Sequence, residues 1–293
     1  MSPFKVTGVE PFSRKNAPVQ LREEQMDNTQ KLVEISSNLQ FVDRDQWPSI
    51  EDLAKGYDDY LPPKTAKLDG QSLTLFDGPD ATSSFQLMVG DVFSWKGEGS
   101  EVSAPGDVFE MRPGVFYLTF ADAEQSTERT LVFDQNKGRG WLFESSLTEN
   151  ERGIRTRTVT STVALPGQQL QALERTSKLV GKHALHRYND RDWYEHFYLN
   201  SGTFSWHCLR GIERGAADTE NCAHYEVADG LYILNWTESN LPVESVVLVD
   251  FSENRSVGRF FCWEKSVNRT VRMVFGAYSY IANSFQYPAL PDN

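Results

Sequence analysis

From Leu68 to about Thr162 the hydrophobic pattern is a succession of short β-rich runs, among them "SLTLF", "SSFQLMV", "DVFSWKG", "GVFYLTF", "TLVFD" and "RGWLFE", separated by Gly, Asp and Asn. Runs of this kind, broken by turn-forming residues, predict strands in an antiparallel meander. The stretch "LPGQQLQALERTSKL" at 165–179 interrupts the pattern and reads as a linker with one helical turn. A second series then begins with "GKHALHRY", "DWYEHFYL", "GTFSWHCL", "GLYILNW", "SVVLVDF" and "GRFFCWE".

The second series repeats the first. "DVFSW" at 91–95 matches "GTFSW" at 202–206, and Gly70 matches Gly181 at the same spacing. "GVFYLTF" then aligns with "GLYILNW", and Asp134 with Asp250, after a longer loop in the second copy. Two copies of one β-domain are expected, and closure into barrels is favoured over open sandwiches because it removes exposed strand edges. Phe93 and Trp95 share a strand face, as do Phe204 and Trp206, so the repeated tripeptide reads as packing.

Before the first series the pattern is polar and mixed. Residues 1–65 are expected to form an N-terminal arm containing one short helix in "WPSIEDLAKGY", with Ser49 as N-cap, Asp52 reaching back to it and Gly56 as the stop. The organisation is therefore an arm and helix (1–65), a first barrel (66–164) and a second barrel (176–290), all-β apart from the helix.

Composition narrows the function classes. The chain has 293 residues, 39% of them hydrophobic, and a formal net charge of −12. An acidic surface argues against nucleic acid or an anionic membrane as partner. The N-terminal residues have no apolar core of a secretory signal, and three cysteines suit reduced thiols, so a cytoplasmic protein is expected. "HC" at 207–208 and "CAH" at 222–224 carry zinc-type ligands but fit no standard spacing, so neither metal nor other cofactor is expected.

All five histidines and all three cysteines lie in the second repeat, which makes it the place to look for acid–base chemistry. On one strand, Ala184, His186 and Tyr188 share a face that is either a pocket wall or the solvent side. On another, Tyr232, Leu234, Trp236 and Glu238 share a face that is apolar except for the carboxylate. A desolvated Glu238 would have a raised pKa suited to a general acid or base; alternatively it is a strand-end feature, since Asp122 follows the matching strand of the first repeat.

The first half, in "SIEDLAKGY…LPPKTAKLDGQSLTLFDG", "RPGVFYLTF" and "TLVFDQNKGRGWLF", resembles the molybdenum cofactor biosynthesis protein F (MoaF) family. "GKHALHRY…GLYILNWTE…VVLVDF" resembles that family's C-terminal domain. The resemblance implies two tandem lipocalin-like antiparallel barrels. A weaker one links "LVGKHALHRYNDRDWYEHFYLNSGTFSW…GLYILNWTE" to the phenolic acid decarboxylases, small barrels in which a tyrosine pair and an arginine hold the substrate and a glutamate moves a proton. What this implies here is His186 and Tyr188 at the pair, Glu238 as the glutamate, and Arg210 or Arg214 as the arginine. Trp206, Trp236, Tyr194 and His207 complete the candidate substrate wall.

The leading expectation is a small-molecule enzyme without redox cofactor, a lyase, dehydratase, isomerase or cyclase acting on an aromatic or terpenoid-like metabolite. The alternative is a non-catalytic carrier or sensor of a hydrophobic ligand. The first barrel then supports the second or mediates a homodimer.

Overall fold

The computed structural model describes residues 49–77, 83–97, 100–122, 126–151, 153–170, 172 and 174–287. The arm expected over 1–48 and the last residues of the second domain, 288–290, lie outside the described residues.

Among the described residues one short helix, α1 (Ile50–Leu53), precedes sixteen strands. The first eight are β1 (Ser72–Asp77), β2 (Ser83–Met88), β3 (Val92–Gly97), β4 (Ser100–Arg112), β5 (Val115–Asp122), β6 (Thr127–Asp134), β7 (Arg139–Asn150) and β8 (Gly153–Ala164). The second eight are β9 (Lys182–Arg187), β10 (Trp193–Asn200), β11 (Thr203–Arg210), β12 (Ala217–Ala228), β13 (Leu231–Thr237), β14 (Val243–Asp250), β15 (Arg255–Glu264) and β16 (Arg269–Ser284). Each set closes on itself as an up-and-down antiparallel barrel, β1 pairing with β8 and β9 with β16. The all-β architecture of two tandem barrels is thus observed. The linker over 165–179 has no helical turn among its described residues and instead contributes a bridge between Arg175 and Tyr225.

The repeat is visible in backbone detail. Gly70 and Gly181 both take positive φ (73° and 78°), and their N–H groups donate to Val89 and Tyr198 at 2.8 and 2.9 Å. Asp134 and Asp250 each accept backbone N–H bonds across the turn that follows them, from Lys137 in one case and from Ser252 and Glu253 in the other.

The two interiors differ. The first barrel is filled by apolar side chains, among them Leu75, Phe93, Trp95, Phe120 and Phe133. Eight-stranded barrels are just wide enough for such filling or for one small ligand. The second interior holds Tyr188, Tyr194, Tyr198, Tyr232, Cys208 and Cys222 beside its apolar residues. The barrels meet along outward faces, where Phe109, Tyr117, Trp141 and Phe143 of the first pack on Tyr225, Ile233, Leu248 and Val257 of the second. Inside that interface Arg259 is fully buried with Glu244, Thr130 and Ser145.

The segment containing α1 covers one end of the second barrel, not the first. Ser49 caps α1 by accepting from the Asp52 N–H at 3.1 Å and donates its hydroxyl to the Asp52 carboxylate at 2.8 Å. Ile50 packs on Val243, Cys262 and Val271, and Tyr57 enters the barrel core. The helix stops at Ala54, before Gly56, whose φ of +83° turns the chain. Gly276 on β16 donates its N–H to the Tyr57 carbonyl at 2.9 Å, and a Cβ there would collide with the backbone of Tyr60 and Leu61. Gly276→Ala is therefore expected to cost about 1–3 kcal/mol. Hydrogen exchange should show lost protection beginning in residues 57–61; unchanged protection there would contradict this seating. No helix among the described residues is long and apolar enough to cross a membrane.

Candidate functional site

Strand alternation aims three histidines into the second barrel. On β9, Ala184 and His186 point inward, followed by Tyr188; on β10, Tyr194, His196 and Tyr198 do so; on β12, Cys222 and His224 follow. The His186 and His196 rings are 4.2 Å apart, and the Tyr198 ring lies 6.2 Å from His196 and 5.0 Å from His224. Aromatic rings surround this string: Phe204 is 4.9 Å and Trp236 6.1 Å from His196.

Several buried polar atoms here have no partner among the described residues: His186 Nε2, His196 Nδ1, His224 Nδ1 and the Tyr198 hydroxyl. Burial pushes His186 down to about 3 and His224 to about 4, and lowers His196 further with help from its two imidazole neighbours. All three are neutral at pH 7, each with one hydrogen-bond donor and one acceptor nitrogen.

The end covered by α1 is acidic. Glu238, just beyond β13, is placed by its N–H bond to the Val243 carbonyl at 3.0 Å and is half-buried. Burial, reinforced by Glu220, Glu213 and Asp218, pushes its carboxyl up to about 8. Glu220 accepts from the Ser239 N–H and hydroxyl at 2.6 and 2.8 Å. Glu213 accepts from the Tyr194 hydroxyl at 2.8 Å, which itself accepts from Tyr57 at 2.9 Å. Burial raises Glu213 as well. A connected path of hydroxyl and carboxyl groups thus runs from the cap to the barrel mouth.

The sequence-predicted residues separate into two groups. His186, Tyr188, Tyr194 and Trp236 line the interior, Trp206 packs against it 6.0 Å from Tyr194, and Glu238 stands at the mouth. Three others are corrected. His207 faces outward on β11, where it and His183 share Glu195 on β10, each at 2.8 Å. Its neighbour Cys208 takes the inward position because consecutive strand residues point to opposite sides. Arg210 and Arg214 are exposed, and the loop between β11 and β12 turns Glu213 inward instead. The mouth therefore carries carboxyl groups where a guanidinium was expected. The Cys222 thiol lies 3.1 Å from His224 Nε2, but among the described residues no set of three His, Cys, Asp or Glu side chains is arranged to hold a metal ion.

Sequence reasoning passed over His196, Tyr198, Glu213 and Tyr57. The first two had a signal, since Tyr194, His196 and Tyr198 alternate within "WYEHFYL". Glu213 sits in a loop without periodicity, and Tyr57 arrives from the cap.

Residues 45–149 match the family model described as the MoaF N-terminal domain, and residues 173–285 the MoaF C-terminal domain. Protein MoaF of Klebsiella aerogenes is 28% identical over 199 residues, covering 62% of this chain and 74% of that protein. A crystal structure from Burkholderia vietnamiensis with a provisional β-lactamase name is 18% identical and covers 37% of this chain and 100% of its own, at a TM-score of 0.31 that carries no argument. With both of its domains matched in order along one chain, the protein belongs to the MoaF-like family.

Proposed function

We propose that the second barrel is the working half of a cofactor-independent enzyme, a lyase, dehydratase, isomerase or cyclase, that acts on an aromatic or terpenoid-like metabolite by acid–base chemistry. One observation carries the reading: His186, His196, His224 and Tyr198 leave buried polar atoms unpaired inside a ring-lined barrel. Leaving one such group unpaired costs about 1–3 kcal/mol, and a ligand supplying hydroxyl or carbonyl groups would relieve it. Rings such as Phe204 and Trp236 would hold the ligand's apolar body.

Proton transfer falls to Glu238. With a pKa of about 8, most of it is protonated at pH 7, which suits a general acid. His186 and Tyr188 orient the substrate from the interior. A carrier is the second reading, favoured by the cap that seats Tyr57 over the barrel end. Incubation with hydroxycinnamates, hydroxylated polyketides and meroterpenoids, followed by mass analysis, separates the two. Turnover abolished by His186→Ala is expected; stoichiometric binding of unchanged ligand would establish the carrier and remove the enzyme.

A further inference from the structure

His186 does not meet the barrel wall alone. It is paired in register with Ser279 on β16, and its Nδ1 lies 2.9 Å from the Ser279 hydroxyl. The Ser279 hydroxyl donates in turn to the Ser256 hydroxyl at 2.9 Å, and Ser256 donates to the Ala277 backbone carbonyl at 3.5 Å. Both serines are within 1% of complete burial.

The middle of this chain sets its direction, because the Ser279 hydroxyl donates to Ser256 Oγ at 2.9 Å, and the longer Ser256 contact to the Ala277 carbonyl agrees with it. A hydroxyl has one proton, and that of Ser279 is used there. What remains for Ser279 is to accept, so the proton between it and His186 belongs to Nδ1. The ring is neutral because burial holds it near 3, and a neutral imidazole carries one N–H. His186 Nε2 is then a bare lone pair, and it is the ring atom that has no partner among the described residues.

We propose that Ser279 and Ser256 are positioning residues that lock His186 as the Nδ1–H tautomer, so that Nε2 faces the barrel interior as an acceptor for a hydroxyl or N–H group of an uncharged ligand. The ligand class rests on the functional reading above; the tautomer does not. The interior agrees with an uncharged ligand: His186, His196 and His224 are neutral, Arg210 and Arg214 lie outside, and carboxyl groups occupy the mouth. Among the described residues the cation that acts on this interior is Arg175, exposed on the linker on the side of Cys222 and His224, and none acts on His186, so a carboxylate ligand there would pay a severe desolvation cost.

Side-chain nitrogen NMR on the full chain with isotope-labelled histidine tests the lock directly, the His186 signals being identified by their loss in His186→Gln. The expected result is a protonated Nδ1 and a bare Nε2 in the unliganded protein. Ser279→Ala should convert the ring partly or wholly to the other tautomer, and Ser279→Thr, which keeps the hydroxyl, should not. A protonated Nε2 in the natural protein would overturn the proposal even if neither Ser279 variant folds, and so would an unchanged tautomer in Ser279→Ala. In calorimetric binding, p-cresol should bind about tenfold more tightly than its methyl ether, one hydrogen bond's worth, and Ser279→Ala should erase that ratio. Equal binding of the pair, or no binding of p-cresol, would overturn the ligand class. An Nδ1–H tautomer in a protein that turns nothing over would leave the lock intact and sink only the enzymatic reading.

Discussion

Replacing Arg259 with methionine is expected to destabilise the protein by about 3–5 kcal/mol, the cost of breaking a buried ion pair by removing one partner. Its guanidinium bonds Glu244, donates to Thr130 Oγ1 at 3.0 Å and Ser145 Oγ at 2.8 Å, and comes within 4.0 Å of Glu128. These contacts join the barrels, since Thr130, Ser145 and Glu128 belong to the first and Glu244 to the second. Glu128 has a second cation in Arg272 at 2.8 Å, so it is not stranded by the change. Among the described residues Glu244 would keep the Asn235 amide at 2.7 Å and be left as a buried carboxylate without a cation.

The pairing can be tested by a cycle. If the cost comes from that stranded charge, Arg259→Met combined with Glu244→Leu should regain much of the loss, because an apolar pair has nothing to desolvate. Urea midpoints of the natural protein, both single variants and the double variant give the coupling. Strict additivity would mean that Arg259 acts by packing alone.

The fold was legible because its signals are periodic. The matching β-rich runs "GVFYLTF" and "GLYILNW" and the recurrence of Phe-Ser-Trp place equivalent strands without any knowledge of contacts. The tripeptide also shows where legibility ends. Phe93 and Trp95 are core, Trp95 stacking on Phe85 at 4.6 Å, whereas Trp206 is less buried and packs 6.0 Å from Tyr194 near the mouth. One pattern thus serves packing in the first copy and lines the candidate site in the second.

Inward-facing candidates such as His186 and Trp236 follow from a period of two, which states the face once the strand is known. His207 obeys the same rule, since Trp206 and Cys208 take the inward face and leave it outward. Glu213 and Tyr57 obey no such rule. The first depends on how a loop folds back, and the second on a capping segment that crosses the barrel end. The Ser256–Ser279–His186 chain needs the register of β15, β16 and β9, which only the closed barrel supplies.

On whichever metabolite the protein turns over, Glu238→Gln is expected to lower kcat by about 10²–10⁴-fold, the usual contribution of a general acid or base. Glutamine keeps the shape and hydrogen bonding of the side chain but cannot transfer the proton. Under the proposed general-acid role, with its carboxyl pushed up to about 8 by burial and by Glu220, Glu213 and Asp218, the natural protein should hold its rate at neutral pH and lose it as pH rises through about 8, where the acid form disappears. Stability supplies an independent readout with a definite sign. The folded carboxyl binds its proton more tightly than the unfolded one, whose ordinary value is 4.5, so the folded state is most favoured below that value and loses stability as pH rises toward 8. Glu238→Gln removes that decline. Denaturant midpoints of the two proteins should therefore coincide near pH 4 and diverge in favour of the variant by pH 8. Full turnover in Glu238→Gln would take the carboxyl out of the chemistry. Parallel midpoints across the pH range would show that it is not held protonated by its surroundings, and the general-acid role would lose its physical basis.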